Sequence, residues 1–191
     1  MKTALVILAV LLYALPAAAQ ESPLEISADK ALEWNRTAKT YTARGNAEAA
    51  QGNLKITSDL MVASYPDEAN SSDIREVEAT GNVMLVSPPY SAYGEKAVYD
   101  IALGRAVLTG ENLRIEGNGE KLTARDSIVY DRSQNRIETS GGATVTRGTD
   151  MLTADSLVAV LGADAEGKQR IETVTAEGNV IITTPRHVLT G

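Results

Sequence analysis

Five glycines, Gly45, Gly81, Gly110, Gly141 and Gly178, recur along this chain in step with five acidic residues, and that register limits the folds open to it. The acids sit in related surroundings: Ile26-Ser-Ala-Asp29, Ile56-Thr-Ser-Asp59, Ala92-Tyr-Gly-Glu95, Leu122-Thr-Ala-Arg-Asp126 and Leu152-Thr-Ala-Asp155. From glycine to the following acid the separations are 14, 14, 16 and 14 residues. From acid to the next glycine they are 16, 22, 15, 15 and 23, and the two long ones contain Pro66 to Asp73 and Gly162 to Gln169. Both stretches are polar and rich in turn formers, as surface-loop insertions should be. A repeat of about 30 residues, constant in its strands and variable in its loops, implies stacked units that bury their apolar faces on one another.

Within each unit the apolar residues alternate. Leu24 and Ile26, Leu54 and Ile56, Val83 and Leu85, Leu113 and Ile115, and Val180 and Ile182 are each separated by one position, the period of a half-buried strand. Each acid opens a second apolar segment, such as Leu60-Met-Val62, Ala97-Val-Tyr99, Ile128-Val-Tyr130 or Leu157-Val-Ala-Val160. A short third segment returns to the glycine, so about three short strands per unit are expected. Thr, Val, Ile and Tyr fall where strands are expected, and no helical face is evident. Lys30 to Ala38 has some helical character, but its place after Asp29 predicts strand. The glycines are expected to supply positive φ, and the acids and Asn local backbone hydrogen bonds at turns.

The beginning of the chain points to export. Lys2 precedes a run from Ala4 to Leu15 that is almost wholly apolar, and Ala17 to Ala19 offers small residues for cleavage. Residues 1–19 therefore read as a cleaved signal peptide, and the apolar run is shorter than the roughly 20 residues of a spanning helix. No cysteine follows for lipid attachment. The remainder, 20–191, suits one domain with a core of its own. With no cysteine in an exported chain, stability must come from burial and backbone pairing. After Gly178 the next acid would fall at position 192, so the sequence stops in mid-unit, leaving either an unpaired last strand or a longer protein.

The charge is −7, and loss of Lys2 makes it one unit more negative. Such a surface is a poor partner for nucleic acid and is not favoured for phosphate-rich ligands. No catalytic, cofactor or metal site is expected either: His187 is the single histidine, and neither a Gly-x-Ser-x-Gly nor a phosphate-binding Gly-Lys loop is present. Gly117-Asn-Gly119 and Gly141-Gly142 read as hairpin turns. With no Phe and one Trp, the core must be made of Val, Ile, Leu and Ala. Such aliphatic walls suit a tightly packed sandwich and a groove wide enough for acyl chains equally well.

Several of these motifs together resemble a known family. Asp29, Thr42-Ala-Arg-Gly45-Asn46-Ala, Ala79-Thr-Gly81-Asn82-Val83, Tyr99-Asp100, Val107-Leu-Thr-Gly110 and Ala176-Glu-Gly178-Asn179-Val180 are similar to the OstA-type repeats of the LptA/OstA lipopolysaccharide-transport family. The resemblance implies an open, slightly twisted antiparallel β-jellyroll in the periplasm whose interior accepts the acyl chains of lipid A. By motif, it implies ligand-facing roles for Leu24, Ile26, Leu85, Val86, Tyr99 and Ile101. The alternating Leu54, Ile56, Val83, Leu113 and Ile115 are expected to complete the acyl groove. It also implies head-to-tail homo-oligomers and edge-to-edge joining to inner-membrane LptC-like and outer-membrane LptD-like jellyroll domains. A structural β-solenoid, a scaffold or adhesin-like module without lipid cargo, is the alternative that a repeat of this length also allows.

Overall fold

The computed structural model describes residues 23–66, 73–165 and 169–191. Two short strands, β1 (Glu25–Ser27) and β2 (Ala31–Asn35), lead into four long ones: β3 (Thr40–Gln51), β4 (Leu54–Ser64), β5 (Glu76–Ser87) and β6 (Tyr90–Asp100). Short strands follow: β7 (Arg105–Thr109), β8 (Arg114–Gly117), β9 (Glu120–Ala124), β10 (Ser127–Asp131), β11 (Arg136–Ser140), β12 (Ala143–Arg147) and β13 (Asp150–Ala154). The last are β14 (Ser156–Ala163), β15 (Gln169–Glu177), β16 (Ile181–Thr183) and β17 (Val188–Thr190). Among the described residues there is no helix, and every pairing is antiparallel.

The pairings separate into two ladders that share the long strands. One layer runs β2, the first half of β3, the second half of β4, the first half of β5, the second half of β6, then β7, β10, β11, β14 and β15. The other runs β1, then the opposite halves of β3 to β6, then β8, β9, β12, β13, β16 and β17. Among the described residues no pairing joins the first strands to the last, so the structure is an open antiparallel β-jellyroll. The chain passes from layer to layer at a line of corners and makes its hairpins at the two free margins.

The repeat landmarks are these corners. Between β3 and β4 the register shifts so that Gly45 and Asn46 oppose Asp59 alone, and between β5 and β6 Gly81 and Asn82 oppose Glu95 alone. Two residues against one is a β-bulge, which bends the strand. The bend requires positive φ at both positions, and Gly81 (80°) with Asn82 (47°) supplies it, Asn being a residue that tolerates this region. Asp100 and Asp131 accept turn amides as expected, but at the corners the acids have a different partner. Asn46 Nδ2 donates to Asp29 Oδ2 at 2.8 Å, Asn82 Nδ2 to Asp59 Oδ2 at 2.8 Å and Asn179 Nδ2 to Asp155 Oδ2 at 2.9 Å, each acid reaching the next glycine's strand. Spacing from acid to glycine is therefore the length of a closed hairpin, which explains why its variation is confined to the loop.

Three further expectations change. Gly45 and Gly81 lie inside long strands rather than opening new ones, because the bulge keeps the ladder running through the bend, and the units of β3 to β6 are built of long bent strands, whereas from β7 to β13 the strands are short pieces. Lys30 to Ala38 is strand only as far as Asn35, whose Oδ1 accepts the amides of Thr37 and Ala38 in the turn. The second insertion is partly strand, since Gly162 and Ala163 end β14 and Gln169 begins β15. Residues 67–72 of the first insertion and 166–168 of the second lie outside the described residues, as does the expected signal peptide.

The close packing at these corners makes a stability test. An added Cβ at Gly81 would stand 2.6 Å from Asp59 Oδ2, whereas one at Gly142 (φ 85°) would meet nothing within 4 Å. Gly142→Ala is expected to cost only the backbone strain of about 1–2 kcal/mol. Gly81→Ala should cost about 1 kcal/mol more by displacing the carboxylate from Asn82. Urea unfolding midpoints of the two variants would show the order, and equal losses would contradict the corner's role.

Candidate functional site

The inner faces of the two layers form an extensive apolar surface, and the strand registers define its walls. In the second layer Ile26, Ala49, Ile56, Leu85, Ala92 and Ile115 are successive cross-strand partners. Leu122, Val145, Leu152, Ile182 and Leu189 continue the row to β17. In the first layer Ala43, Met61, Ala79, Ala97, Leu108 and Ile128 make the corresponding row, followed by Thr139, Leu157 and Ala176. Partners in a ladder point to the same side, so each row is a continuous stripe. Thr139 interrupts the hydrocarbon without leaving a polar atom unpaired, because its Oγ1 accepts the Leu157 amide at 3.0 Å.

The expected groove residues are distributed over this interior. Ile26, Ile56, Leu85 and Ile115 belong to the second-layer row, and Tyr99 is fully buried in the first layer, where its partners are Val77 and Ala106. Val83 and Leu113 are buried near the corners, while Leu24, Leu54 and Ile101 are half-buried against the core. Val86 is the exception: it pairs with Lys55 and Ser91 and faces away from the interior, because neighbours in a strand point to opposite sides and Leu85 already points in. Missing from the expected set is most of the first-layer wall, Met61, Leu108, Ile128, Ile137 and Leu157. A signal for it exists in the sequence, since Met61, Ala97, Ile128 and Leu157 each stand two residues after an acid.

The interior is closed along much of its length. Ile56 is 2% exposed and Leu122 6%, and the alanines of β3, β5, β6 and β7 let the layers meet. At the margin, the Tyr99 hydroxyl of the first layer donates to Gln51 Oε1, at the end of β3 in the second, over 3.4 Å. A small apolar cavity of about 40 Å³ remains, lined by Leu85, Ala92, Leu108, Ile115, Ile128 and Ile137 among others. Pockets for small organic ligands are roughly 300–1,000 Å³, so a larger hydrocarbon has to separate the layers or enter where they are already apart. Farther along, Val145 and Leu152 are half-buried, and Ile182 and Leu189 are 38% and 60% exposed.

Polar chemistry in the interior is sparse. The lowered pKa of Asp131, caused first by the Ser133 hydroxyl and then by the Gln134 amide, belongs to the β10–β11 hairpin. No group of three or more His, Cys, Asp or Glu suited to a metal occurs among the described residues. Both ends of the sheet are exposed: β2 is exposed throughout, as is β17, and β15 is mostly so. Beside β2, Trp34 stacks on Tyr41 with ring centres 5.9 Å apart, its Nε1 donates to the Tyr65 hydroxyl at 2.9 Å, and Arg36 covers its ring at 4.2 Å.

The arrangement is that of an open antiparallel jellyroll with two apolar inner walls and exposed terminal strands. Comparison with known proteins gives the family. The family described as "LptA/(LptD N-terminal domain) LPS transport protein" matches residues 25–136, and the chain belongs to it. No curated protein matches the sequence. Among solved structures, the chain is similar to LptH, "the LptA homologous periplasmic component of the conserved lipopolysaccharide transport device from Pseudomonas aeruginosa". That likeness has a TM-score of 0.52 at 18% identity, covers 80% of this chain and 95% of the other, and concerns the fold.

The walls carry stability as well as shape. Ile128→Ala, at a side chain 0% exposed, is expected to lower unfolding free energy by about 2–5 kcal/mol. Leu189→Ala should stay within about 0.5 kcal/mol, because an exposed edge side chain loses little. Chemical denaturation of both variants would check this, and a large loss at Leu189 would mean that the edge is packed in solution.

Proposed function

We propose that this protein is a periplasmic carrier that shields the acyl chains of lipopolysaccharide between its two layers, and that it works by transport rather than catalysis. The observation that carries the reading is the unbroken apolar stripe from Ile26 to Leu189 on one wall, faced by the stripe from Ala43 to Ala176 on the other. Membership of a lipopolysaccharide-transport family supplies the cargo class. Burial of hydrocarbon is worth roughly 0.8 kcal/mol per CH₂, so even partly covered fatty tails would contribute several kcal/mol. The net negative charge gives the anionic head group little to hold, so contact with it is loose.

In this reading residues 1–19 are removed on export and 20–191 fold as one domain. The terminal strands join the chain to its neighbours: LptC-like domains at the inner membrane, LptD-like domains at the outer, and further copies head to tail. Support comes from β2 and β17, which leave backbone groups unpaired beside exposed Leu32, Trp34, Val188 and Leu189. A few added backbone bonds at about 0.5–1.5 kcal/mol net each make a reversible junction.

A photoreactive residue in place of Leu122 is expected to crosslink to lipopolysaccharide in cells, whereas one at the adjacent, outward Lys121 is not. Crosslinks from Lys121 alone would refute the groove. For the junction, Leu189→Glu should weaken self-association by about tenfold, or 1.4 kcal/mol. Sedimentation would measure this, with an unchanged melting temperature showing that the fold is intact.

A further inference from the structure

The five pairs of acid and glycine along the corner line are not fastened alike. Toward both ends of the line the glycine is followed by asparagine, whose side-chain amide donates to the acid: Asn46 to Asp29, Asn82 to Asp59 and Asn179 to Asp155. The two middle pairs lack that amide. Gly110, packed on Glu95, is followed by Glu111, and Gly141, packed on Asp126, is followed by Gly142. A carboxylate has no proton to donate to Glu95, and a glycine has no side chain to offer Asp126. Asp126 instead meets the adjacent Arg125 at 3.4 Å, and Asn112, one place beyond Glu111, has its carbonyl beside Arg114 Nη1 at 3.5 Å.

The backbone changes at the same places. β3, β4, β5 and β6 run unbroken through their corners, whereas Gly110 to Leu113 separate β7 from β8, Arg125 and Asp126 separate β9 from β10, and Gly141 and Gly142 separate β11 from β12. Gly141 and Gly142 have φ of 83° and 85°, and with no Cβ both can leave that region at little steric cost. The Asp155 corner is also a break between strands, but there the Asp155 amide points at the carbonyls of both Glu177 and Gly178 in addition to the bond from Asn179. A packing gap accompanies the loose corners. The small apolar cavity has Leu108, Ile128 and Ile137 of the first layer on one side and Ala92 and Ile115 of the second on the other.

We infer that the corner line is a hinge, locked toward both ends and free in the middle, about which the two layers change their angle at β7 to β12. The hinge is a property of the protein alone and is independent of what it carries. A bond from an amide to an ionised carboxylate is among the stronger side-chain bonds, so the three fastened pairs resist bending that the middle pairs permit. Each layer twists from strand to strand, which lets the angle differ between the middle and the ends. Asp29 lies between β1 and β2, and Asn179 between β15 and β16, so the end clamps hold the layers where their edge strands are exposed. Motion in the middle therefore leaves both terminal edges presented as before.

The test uses the full exported chain, which has no cysteine, so spin labels attach only at introduced ones. Gln134 and Thr149, in the exposed turns before β11 and after β12, mark the far ends of the two arms that meet at Gly141 and Gly142. Thr37 and Asn53 hold the same places around β3, whose corner Asn46 fastens. Pulsed electron resonance should give a broader distance distribution for the first pair than for the second. Gly142→Asn places an amide opposite Asp126, at a position where an added Cβ meets nothing within 4 Å, and should narrow the first distribution to the width of the second. Gly142→Ala, which removes the glycine without supplying an amide, should stay broader than Gly142→Asn. Asn46→Gly is the converse variant, since glycine takes up the φ of 46° there without strain, and it should broaden the Thr37 to Asn53 distribution. In the unaltered protein, a Gln134 to Thr149 distribution as narrow as the other would overturn the hinge. So would widths that neither Gly142→Asn nor Asn46→Gly changes.

Discussion

The structure depends on one geometrical problem, how an extended chain crosses from one sheet to another and still points its apolar side chains inward. Alternation gives each strand a fixed parity, and an added residue inverts it. In β3 and β5 the inward residues keep their parity through the bend, as Ala43 passes to Ala47 and Ala79 to Val83. In β4 and β6 parity changes, from Ile56 to Met61 and from Ala92 to Ala97. The bulge reconciles the two kinds of strand, because two residues at the glycine corner oppose a single acid on the neighbour. Asn bonded to the preceding acid then holds successive corners in line. The apolar interior is thus a consequence of the corners: with either landmark shifted by one position, a wall would turn its apolar side to water.

That dependence explains what could be read from the sequence. Strands and the loop character of the insertions follow from alternation and from the constancy of glycine-to-acid spacing, whereas their antiparallel jellyroll arrangement was implied by the family resemblance, because a repeat of this length also allows a solenoid. Part of the second-layer wall was legible too, since Ile26 and Ile56 each stand three residues before an acid, whereas Leu152, which stands in the same relation to Asp155, was not in the expected set. The first-layer wall was not assigned, although Ile128 and Leu157 had been recognised as apolar, because deciding which segments face each other needs the long-range pairing of β7 with β10 and β11 with β14. Val86 was misplaced for a simpler reason: hydrophobicity alone does not say which side of a strand a residue occupies. The pairing of Asp59 with Asn82, 23 residues apart, lay beyond any rule about local turns.

Closure of the walls is a matter of side-chain size. Alanine makes up the buried inner row of β3 and recurs at Ala79, Ala92 and Ala97, and these short side chains permit the layers to approach until Met61, Ile56 and Val77 fill what is left. Toward β12 and β13 the rows carry Val145 and Leu152 packed against Ala143, Ala154 and Leu157, and the burial becomes partial. Alanine contributes little transfer free energy by itself, so the stabilising burial comes from the larger residues it brings together. The same pattern of side-chain size that tightens the layers at β3 leaves Ile182 and Leu189 partly exposed at the other end.

An open sheet also has to keep its edges from pairing at random. Edge strands in monomeric proteins are commonly protected by charge, proline or a covering segment. Here β2 places Trp34 beneath Arg36 and against Tyr41 and Tyr65, which fixes the strand's side chains while its backbone edge stays free. An edge that is ordered but unpaired loses little entropy when a partner strand arrives, and order of this kind favours binding in one register. β17 lacks such a cluster and presents Val188 and Leu189 directly. The two ends are therefore unlike in chemistry, aromatic and cationic at one and aliphatic at the other. For the proposed assembly this difference would give a junction polarity, because a contact between unlike ends repeats head to tail whereas a contact between like ends closes after two copies.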